Sequence, residues 1–369
     1  MKHFFKSYYN YYSSYISNYY LKNKIRISKG AFITFNENEL FLLHKAKEIF
    51  GSSLDFTNGY KQRDTFIVPL SDVNLLGNTG AVVKDLRIIG ESMFDLGRLN
   101  NSKSFKNLHR LKTRKKKTGV YTSIMHPSFA NKNIYHWIVD CLPRLYSISK
   151  IPSDETIYLI INDDIPDYQR EILHFFVNAD QRLKLVYIKK TEKWKIQNYW
   201  LPSFVSSNTS GYMPAEYINY IKKVVFDGYN ITSTENDRKV YISRSLSKRR
   251  KLINEEEIES FLSGNGFDII HAENLNYREQ VKLFSECDII ISPHGAGLTN
   301  ILYASNATIV ELHPEDYTPS HYCLLSKACN HNYYSFFGNE MNEDMSWQLN
   351  IGSFKSFFQL VVKKQEILN

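Results

Sequence analysis

Asp288-Ile289-Ile290-Ile291-Ser292-Pro293-His294-Gly295-Ala296-Gly297-Leu298-Thr299-Asn300 reads as a buried strand, a glycine-bearing turn and the start of a helix running through Ile301, Leu302 and Tyr303. Such a junction aims several backbone N–H groups, and the positive end of a helix dipole, at one spot. An anion, above all a phosphate, belongs there. Gly295 and Gly297 keep Cβ atoms out of the way of a bulky ligand. The pattern is neither G-x-G-x-x-G nor G-x-x-x-x-G-K-[ST]. A tight βα turn, with glycines for geometry only, is the plainer reading of the loop taken alone.

The flanking sequence favours the ligand reading. Downstream, Thr308 to Leu312 is a strand that ends in Glu311-Leu312-His313-Pro314. Upstream, Asn276 and Glu279 form a capping-box pattern for a helix that runs to Cys287. Phe267 to His271 is a strand. Asn254 and Glu257 suggest another capping box, with the helix stopping near Gly264 and Gly266. Lys239 to Ser243 is a strand. Strands alternating with short helices imply an α/β fold with a parallel sheet. Ligands of such sheets bind beyond the carboxyl ends of the strands. Ser243-Arg244, His294 to Asn300 and Glu311 to Pro314 all fall at such ends. Arg244 opens a basic stretch that includes Lys248, Arg249, Arg250 and Lys251. Its planar fork of donors suits phosphate oxygens, and Arg249 or Arg250 could add a second contact. Glu311 could accept hydrogen bonds from ribose hydroxyls; a capping or salt-bridging role is the alternative.

Residues 230 to 238 are polar and without apolar period, which marks a linker. Before it, Thr156 to Asn162 and Leu183 to Lys189 read as strands, Tyr168 to Val177 and Met213 to Tyr229 as helices. Phe66 to Leu70 and Ala81 to Ile89 look like strands, and residues 134 to 150 carry a helical pattern. In that pattern His136, Asp140 and Arg144 recur every fourth residue, on one face if the helix tolerates Pro143. Three ionisable groups in an apolar stretch are unusual. Either Asp140 or His136 could be a general base; a mutually satisfied structural network is the alternative. Asn162-Asp163-Asp164 reads as turn chemistry rather than a metal pair. His126 and His313, each followed by proline, could reach a site, but a lone histidine is more often a satisfied structural residue. The linear sequence holds no zinc spacing, so no metal and no cofactor are expected.

The chain has 369 residues, 43% of them hydrophobic, with 26 Tyr and 23 Phe. That allows one large or two ordinary domains with real cores. The net charge of +8 favours anionic partners. Nothing resembles a nucleic-acid-binding module, so no nucleic acid is expected. Cys141, Cys287, Cys323 and Cys329 contain no C-x-x-C pair and read as buried small hydrophobes in a reducing compartment. No apolar run reaches membrane-spanning length, and no apolar secretory core is seen at the start. A cytoplasmic protein is expected. Phe4, Phe5, Tyr8, Tyr9, Tyr12, Tyr15, Ile16 and Tyr19, flanked by lysines, suggest a helix that lies on an anionic membrane. The basic run Arg110 to Lys117 reads as a solvated loop, or as a dock for an anionic lipid-linked acceptor.

Three segments together resemble glycosyltransferase family 61: Asn133 to Arg144, Tyr241 to Arg244, and Ser292 to Asn300 with Val310 to Pro314. The resemblance covers roughly residues 120 to 320. It implies a GT-B architecture: two Rossmann-like domains facing a cleft, with the nucleotide-sugar held mainly by the second. It also implies inversion at the anomeric carbon without an obligatory metal, and donors such as UDP-N-acetylglucosamine or UDP-xylose. With no signal anchor seen, a bacterial enzyme building a surface polysaccharide such as capsule or O-antigen is expected, with an acceptor that could be lipid-linked. The divisions expected are a tyrosine-rich segment 1–30, an acceptor-side domain 31–229, the linker 230–238, a nucleotide-sugar-binding domain 239–335, and a helical segment 336–369 packing back on the N-terminal domain. Asp140, with His136 as alternative, would be the base, and Arg144 would orient or balance it. Arg244, Arg249, Glu311 and residues His294, Gly295, Ala296, Gly297, Leu298, Thr299 and Asn300 would hold the donor. A pyruvyl transferase of similar architecture and a membrane-associated nucleotide-binding scaffold are the competing functions.

Overall fold

A computed structural model of the chain describes residues 24–50, 59–85, 87–94, 112–126, 133–206, 210–232, 236–247 and 249–366. The tyrosine-rich start of the chain, Arg110 and Lys248 lie outside the described residues. The chain divides into two compact units, residues 1–31 with 61–228, and 32–60 with 229–369.

The first unit is built on eight strands: β1 (Ile25–Ser28), β2 (Thr65–Leu76), β3 (Val82–Lys84), β4 (Arg87–Ile88), β5 (Lys112–Ser123), β6 (Ile157–Asn162), β7 (Leu183–Ile188) and β8 (Glu192–Pro202). Their order is β4-β3-β2-β8-β5-β6-β7, with β1 beside β2. β8, β5, β6 and β7 run parallel, while β8 meets β2 antiparallel. The sheet is therefore mixed, not the purely parallel one that a Rossmann-like reading expects. Its core gathers Val68, Leu70, Val73 and Leu75 of β2 with Ile196, Tyr199 and Leu201 of β8. Each such aliphatic side chain contributes roughly 1.5–3 kcal/mol when fully buried.

Two sequence expectations fail in this unit for clear reasons. The basic run is strand, not loop: β5 begins at Lys112 and pairs with β8. Its cations find partners there. Arg114 donates to Glu192 Oε1 at 2.8 Å through Nε, and the Lys117 ammonium lies 4.6 Å from the Trp194 ring centre. The stretch Ala81 to Ile89 is not one strand either. Val83 pairs with Ile88 and Lys84 with Arg87 across a hairpin, with Asp85 at φ 48°. Asp163 and Asp164 close the turn after β6 as read: Asp164 pairs with Lys190 at 2.5 Å, and Arg170 donates to the Asp163 carbonyl.

The second unit is a five-stranded sheet of β9 (Arg238–Ile242), β10 (Asp268–Ile270), β11 (Cys287–Pro293), β12 (Thr308–His313) and β13 (Asn332–Phe337), in the order β10-β9-β11-β12-β13. Every pairing is parallel. The α/β expectation holds, and all carboxyl ends fall on one edge. The helix Tyr277–Ser285 begins with the expected Asn276–Glu279 capping box. The Asn254–Glu257 box does not form. Asn254 instead holds the Leu349 backbone, giving Nδ2–H to its carbonyl at 2.9 Å and accepting its N–H at 3.1 Å.

Residues 336–366 group with the second unit rather than with an N-terminal domain. Helix Ile351–Glu366 places Phe354 and Phe358 in the second unit's core, with Tyr241, Ile289, Val310 and Trp347. The helix Glu37–Phe50 also belongs to the second unit rather than to a 31–229 domain. Its Asn38 accepts from Ser335 at 2.8 Å, and its Phe41 ring meets Phe337 edge-on at 5.2 Å. Apolar complementarity between distant segments decides both placements, and no local pattern reports it. Cys141, Cys287 and Cys323 are buried as expected, whereas Cys329 is only partly buried.

Candidate active site

The expected row of His136, Asp140 and Arg144 is broken. The chain makes one short helix at Ile134–His136, a π-helical turn at Trp137–Cys141, and a new helix at Arg144–Ser149. A π turn closes i→i+5 and so turns later residues away from the face an α-helix would give them. His136 and Asp140 still meet, with Nδ1 2.7 Å from Asp140 Oδ2. Ser206 approaches the other oxygen, Oδ1, at 3.4 Å. Arg144 faces elsewhere. Its Nη1 and Nη2 donate to the Met125 and Pro202 carbonyls at 3.0 and 3.1 Å, and its guanidinium lies 4.3 Å from the Phe204 ring centre. Arg144 therefore ties the Asp140 helix to the ends of β5 and β8 and does not balance the carboxylate. Burial pulls its pKa down.

The His136–Asp140 pair has a direction. The Asp140 side chain is 0% exposed and that of His136 is 15% exposed. With Nδ1–H given to the carboxylate, the imidazole offers the lone pair of Nε2. In that arrangement Asp140 fixes the His136 tautomer. His126, from the end of β5, stacks on His136 at 5.8 Å. Phe94 and Phe204 complete this aromatic layer, 5.1 and 5.5 Å from His126.

In the second unit, the carboxyl edge of the sheet gathers the other candidates. Arg244, just past β9, donates from Nη2 to Ser247 Oγ at 2.8 Å and to the Arg249 carbonyl at 3.2 Å. Its backbone N–H goes to Glu255 Oε1 at 2.7 Å, which also accepts from Tyr241 OH at 3.0 Å. Arg244 Nε is buried and has no partner. Burial, and then the charge of Arg250, lowers the Arg244 pKa. The second arginine here is Arg250, not Arg249. Arg250 has φ 55°, which turns its side chain to Tyr317, where Nη1 donates to the hydroxyl at 2.9 Å. Arg249 is exposed, and its backbone carbonyl is what touches Arg244. Arg250 Nε is likewise buried without a partner.

The glycine loop has the expected strand before it, but a 3-10 helix, Ala296–Tyr303, after it. Gly295 is extended at φ −177°, so its backbone asks nothing special of it. Its need is space: a Cβ there would sit 1.7 Å from Arg244 Nη1. Gly297 similarly lets the helix lie on β9, where a Cβ would come 3.1 Å from Ile242 Cγ2. The loop's glycines thus admit Arg244 and Ile242 directly. The first N–H groups of this helix lack intrahelical acceptors, and Ala296 is exposed. Deeper in, Thr299 gives its hydroxyl to the Ala296 carbonyl at 2.7 Å, and Asn300 Nδ2 donates to Gln280 at 2.8 Å. Leu298, Thr299 and Asn300 are buried and shape the loop.

Glu311 does not face a ligand. It is 0% exposed, and its oxygens take His294 Nδ1 at 2.5 Å and Tyr333 OH at 2.6 Å, with His313 Nε2 at 3.4 Å. Burial would raise the Glu311 pKa, but His313 and His294 outweigh it and keep the group a carboxylate. Burial dominates for His294 and pulls its pKa down to about 4. The pair is a neutral imidazole donating to a carboxylate. Glu311 and His313 are two apart on β12 and so share a face, a signal that the sequence carried. The roles of Tyr317 and Tyr333 carried none.

Two trios could hold a divalent cation: His126, His136 and Asp140, and His294, Glu311 and His313. The ligand atoms of each trio lie within 4.8 Å of one another. Linear spacing hid them, since each is assembled from separate segments.

A family model described as Glycosyltransferase 61 matches residues 134–310. The chain is 31% identical over 113 residues to protein O-linked-mannose beta-1,4-N-acetylglucosaminyltransferase 2 of Xenopus tropicalis, covering 28% of this chain and 19% of that protein. It is 38% identical over 80 residues to the EGF domain-specific O-linked N-acetylglucosamine transferase of Drosophila melanogaster, covering 21% and 15%. The chain thus spans less than a fifth of the length of these relatives. Residues 134–310, which hold the His136–Asp140 pair, Arg244 and the whole 294–300 loop, belong to glycosyltransferase family 61.

Proposed function

We propose that the protein is an inverting glycosyltransferase that moves a sugar from a UDP-linked donor to a glycan. We take the two units as the halves of a GT-B enzyme, as the family resemblance implies. The observation that carries the reading is Arg244 seated on Gly295, with Arg250 beside it and both Nε groups unpartnered. Two half-buried cations at the carboxyl edge of a parallel sheet, next to a helix start, suit a diphosphate.

In this mechanism the acceptor hydroxyl gives its proton to His136 Nε2. Its oxygen attacks the anomeric carbon on the face opposite the nucleotide. The bond from that carbon to the diphosphate oxygen breaks, and the electron pair leaves with the phosphate. Arg244, Arg250 and the N–H groups at the 3-10 start stabilise the charge that grows there. His294, held by Glu311, lines the same loop. Asp140 keeps His136 in the tautomer that can accept.

The acceptor is proposed as a glycan on chemical grounds. A surface polysaccharide remains the reading that the resemblance suggests, whereas the relatives above are animal proteins named for protein-linked sugars. We place the reaction in the cytoplasm, at the inner face of the cell membrane, on the +8 charge and on exposed Leu246 and Ile253 near exposed Arg249 and Lys251. No helix among the described residues is long and apolar enough to cross a membrane.

Calorimetry with UDP, and release of UDP from UDP-sugars, test the reading. Binding of UDP, and turnover that survives excess EDTA, are expected. Absence of nucleotide binding would end it. Loss of turnover on chelation, with recovery in Mn²⁺, would replace the metal-free mechanism with one in which His126, His136 and Asp140 hold a cation.

A further inference from the structure

We infer that a cavity in the first unit binds a neutral saccharide, which is the acceptor's subsite if the transferase reading holds. The cavity has about 350 Å³ and is lined by Lys24, Arg63, Asp64, Phe66, Glu91 and Phe204. That volume is at the low end of ligand pockets, which run roughly 300–1,000 Å³.

The charges decide the ligand class. Two cations and two carboxylates line the cavity, so neither sign of charge dominates its wall as it would in a site built for a polyanion. Two of the four are already engaged. Asp64 accepts the Gly30 N–H through Oδ1 at 3.0 Å and pairs with Arg26 through Oδ2 at 3.0 Å. The Lys24 ammonium lies 5.2 Å from the Phe66 ring centre. The other two are open. Glu91 Oε2 is buried and accepts no hydrogen bond, an arrangement that costs free energy until a donor arrives. The exposed Arg63 guanidinium has no acceptor among the described residues. An unmet acceptor, a multiple donor and two aromatic rings around one cavity match a sugar ring, whose hydroxyls donate and accept and whose C–H faces are apolar.

The cavity also shares a wall with the proposed base. Phe204 packs on His126 at 5.5 Å, and His126 stacks on His136 at 5.8 Å. Of its lining residues, only Ser203 and Phe204 lie inside the family match at 134–310. The subsite is therefore a property of this chain, suited to setting its own acceptor.

The experiment is saturation-transfer NMR with methyl α-mannoside, methyl β-N-acetylglucosaminide and methyl β-galactoside, on the wild type, Glu91→Ala and Arg63→Ala. At least one glycoside is expected to bind the wild type. Its affinity should fall about ten-fold in each variant, the effect of one charge-assisted hydrogen bond. Arg63 is exposed, so its variant keeps the test valid if Glu91→Ala does not fold. No binding by the wild type, binding unchanged in the variants, or preference for glucose 6-phosphate would each overturn the inference. UDP calorimetry on the same samples separates the two readings. UDP bound without glycoside sinks the subsite alone. Glycoside bound without UDP sinks the transferase reading and leaves the saccharide cavity standing.

Discussion

At the residue scale, the two histidine–carboxylate pairs are built alike but differ in exposure. His136 rests on buried Asp140 at 2.7 Å and keeps some exposure, and in the proposed mechanism it is the base. General-base help is typically worth about 10²- to 10⁴-fold. His136→Ala should therefore lose turnover in that range while UDP affinity, measured by calorimetry, stays put. Asp140→Asn should also lose turnover, because the amide no longer fixes the tautomer, but His136→Ala should not be the milder of the two. If it were, Asp140 would be the base. His294 behaves differently. Its folded pKa, lowered to about 4 chiefly by burial, lies below the ordinary value of 6.5. The unfolded chain therefore takes the proton first. The native state should lose stability as pH falls from about 6.5 to about 4, at up to roughly 1.4 kcal/mol per unit. Urea titrations across that range should show the decline in the wild type and a shallower one in His294→Gln. Equal slopes would mean that His294 is not buried neutral.

At the scale of elements, the glycine loop shows how much the sequence disclosed. The strand Asp288 to Ser292, its parallel neighbours and the carboxyl edge were all legible, because unbroken Ile and Val runs between short helices leave little else to build. The reason for Gly295 was not. Its Cβ space is occupied by Arg244, a residue 51 positions earlier, and only the fold brings the two together. The same holds for the π turn at Trp137–Cys141, which no spacing rule anticipates and which takes Arg144 off the Asp140 face. The loop and Arg244 should thus behave as one device. Arg244→Ala should weaken transition-state binding by roughly 2–4 kcal/mol in kcat/KM. Gly295→Ala, which forces the guanidinium aside, should weaken it comparably. The double variant should be little worse than Arg244→Ala alone, since both changes remove one contact. Additive losses would show that Gly295 serves the ligand by itself.

At the scale of the whole molecule, the units are assembled from segments far apart in sequence, and that is where sequence reading failed. Local periodicity reveals an apolar face but not the surface that will cover it. The helices Glu37–Phe50 and Ile351–Glu366 are the examples, both in the second unit although one precedes the first unit's longest strands. Helix Ile351–Glu366 puts Phe354 (0% exposed) and Phe358 (1%) against Phe267, Phe261 and Phe336. These rings cover the face of the sheet formed by Tyr241, Ile289, Ile291, Val310 and Leu312. Removing one buried phenylalanine typically costs about 3–5 kcal/mol, through lost transfer energy and the cavity left behind. Phe354→Ala should therefore loosen the second unit as a body. Native-state hydrogen exchange should speed up in Arg238–Ile242, Cys287–Pro293 and Thr308–His313, while Thr65–Leu76 and Glu192–Pro202 keep their protection. Because Arg244 and the 294–300 loop are carried on those strands, UDP affinity should fall with the protection, although Phe354 touches neither. Faster exchange in the first unit's strands, with the second unit unchanged, would mean that the C-terminal helix belongs to the other core.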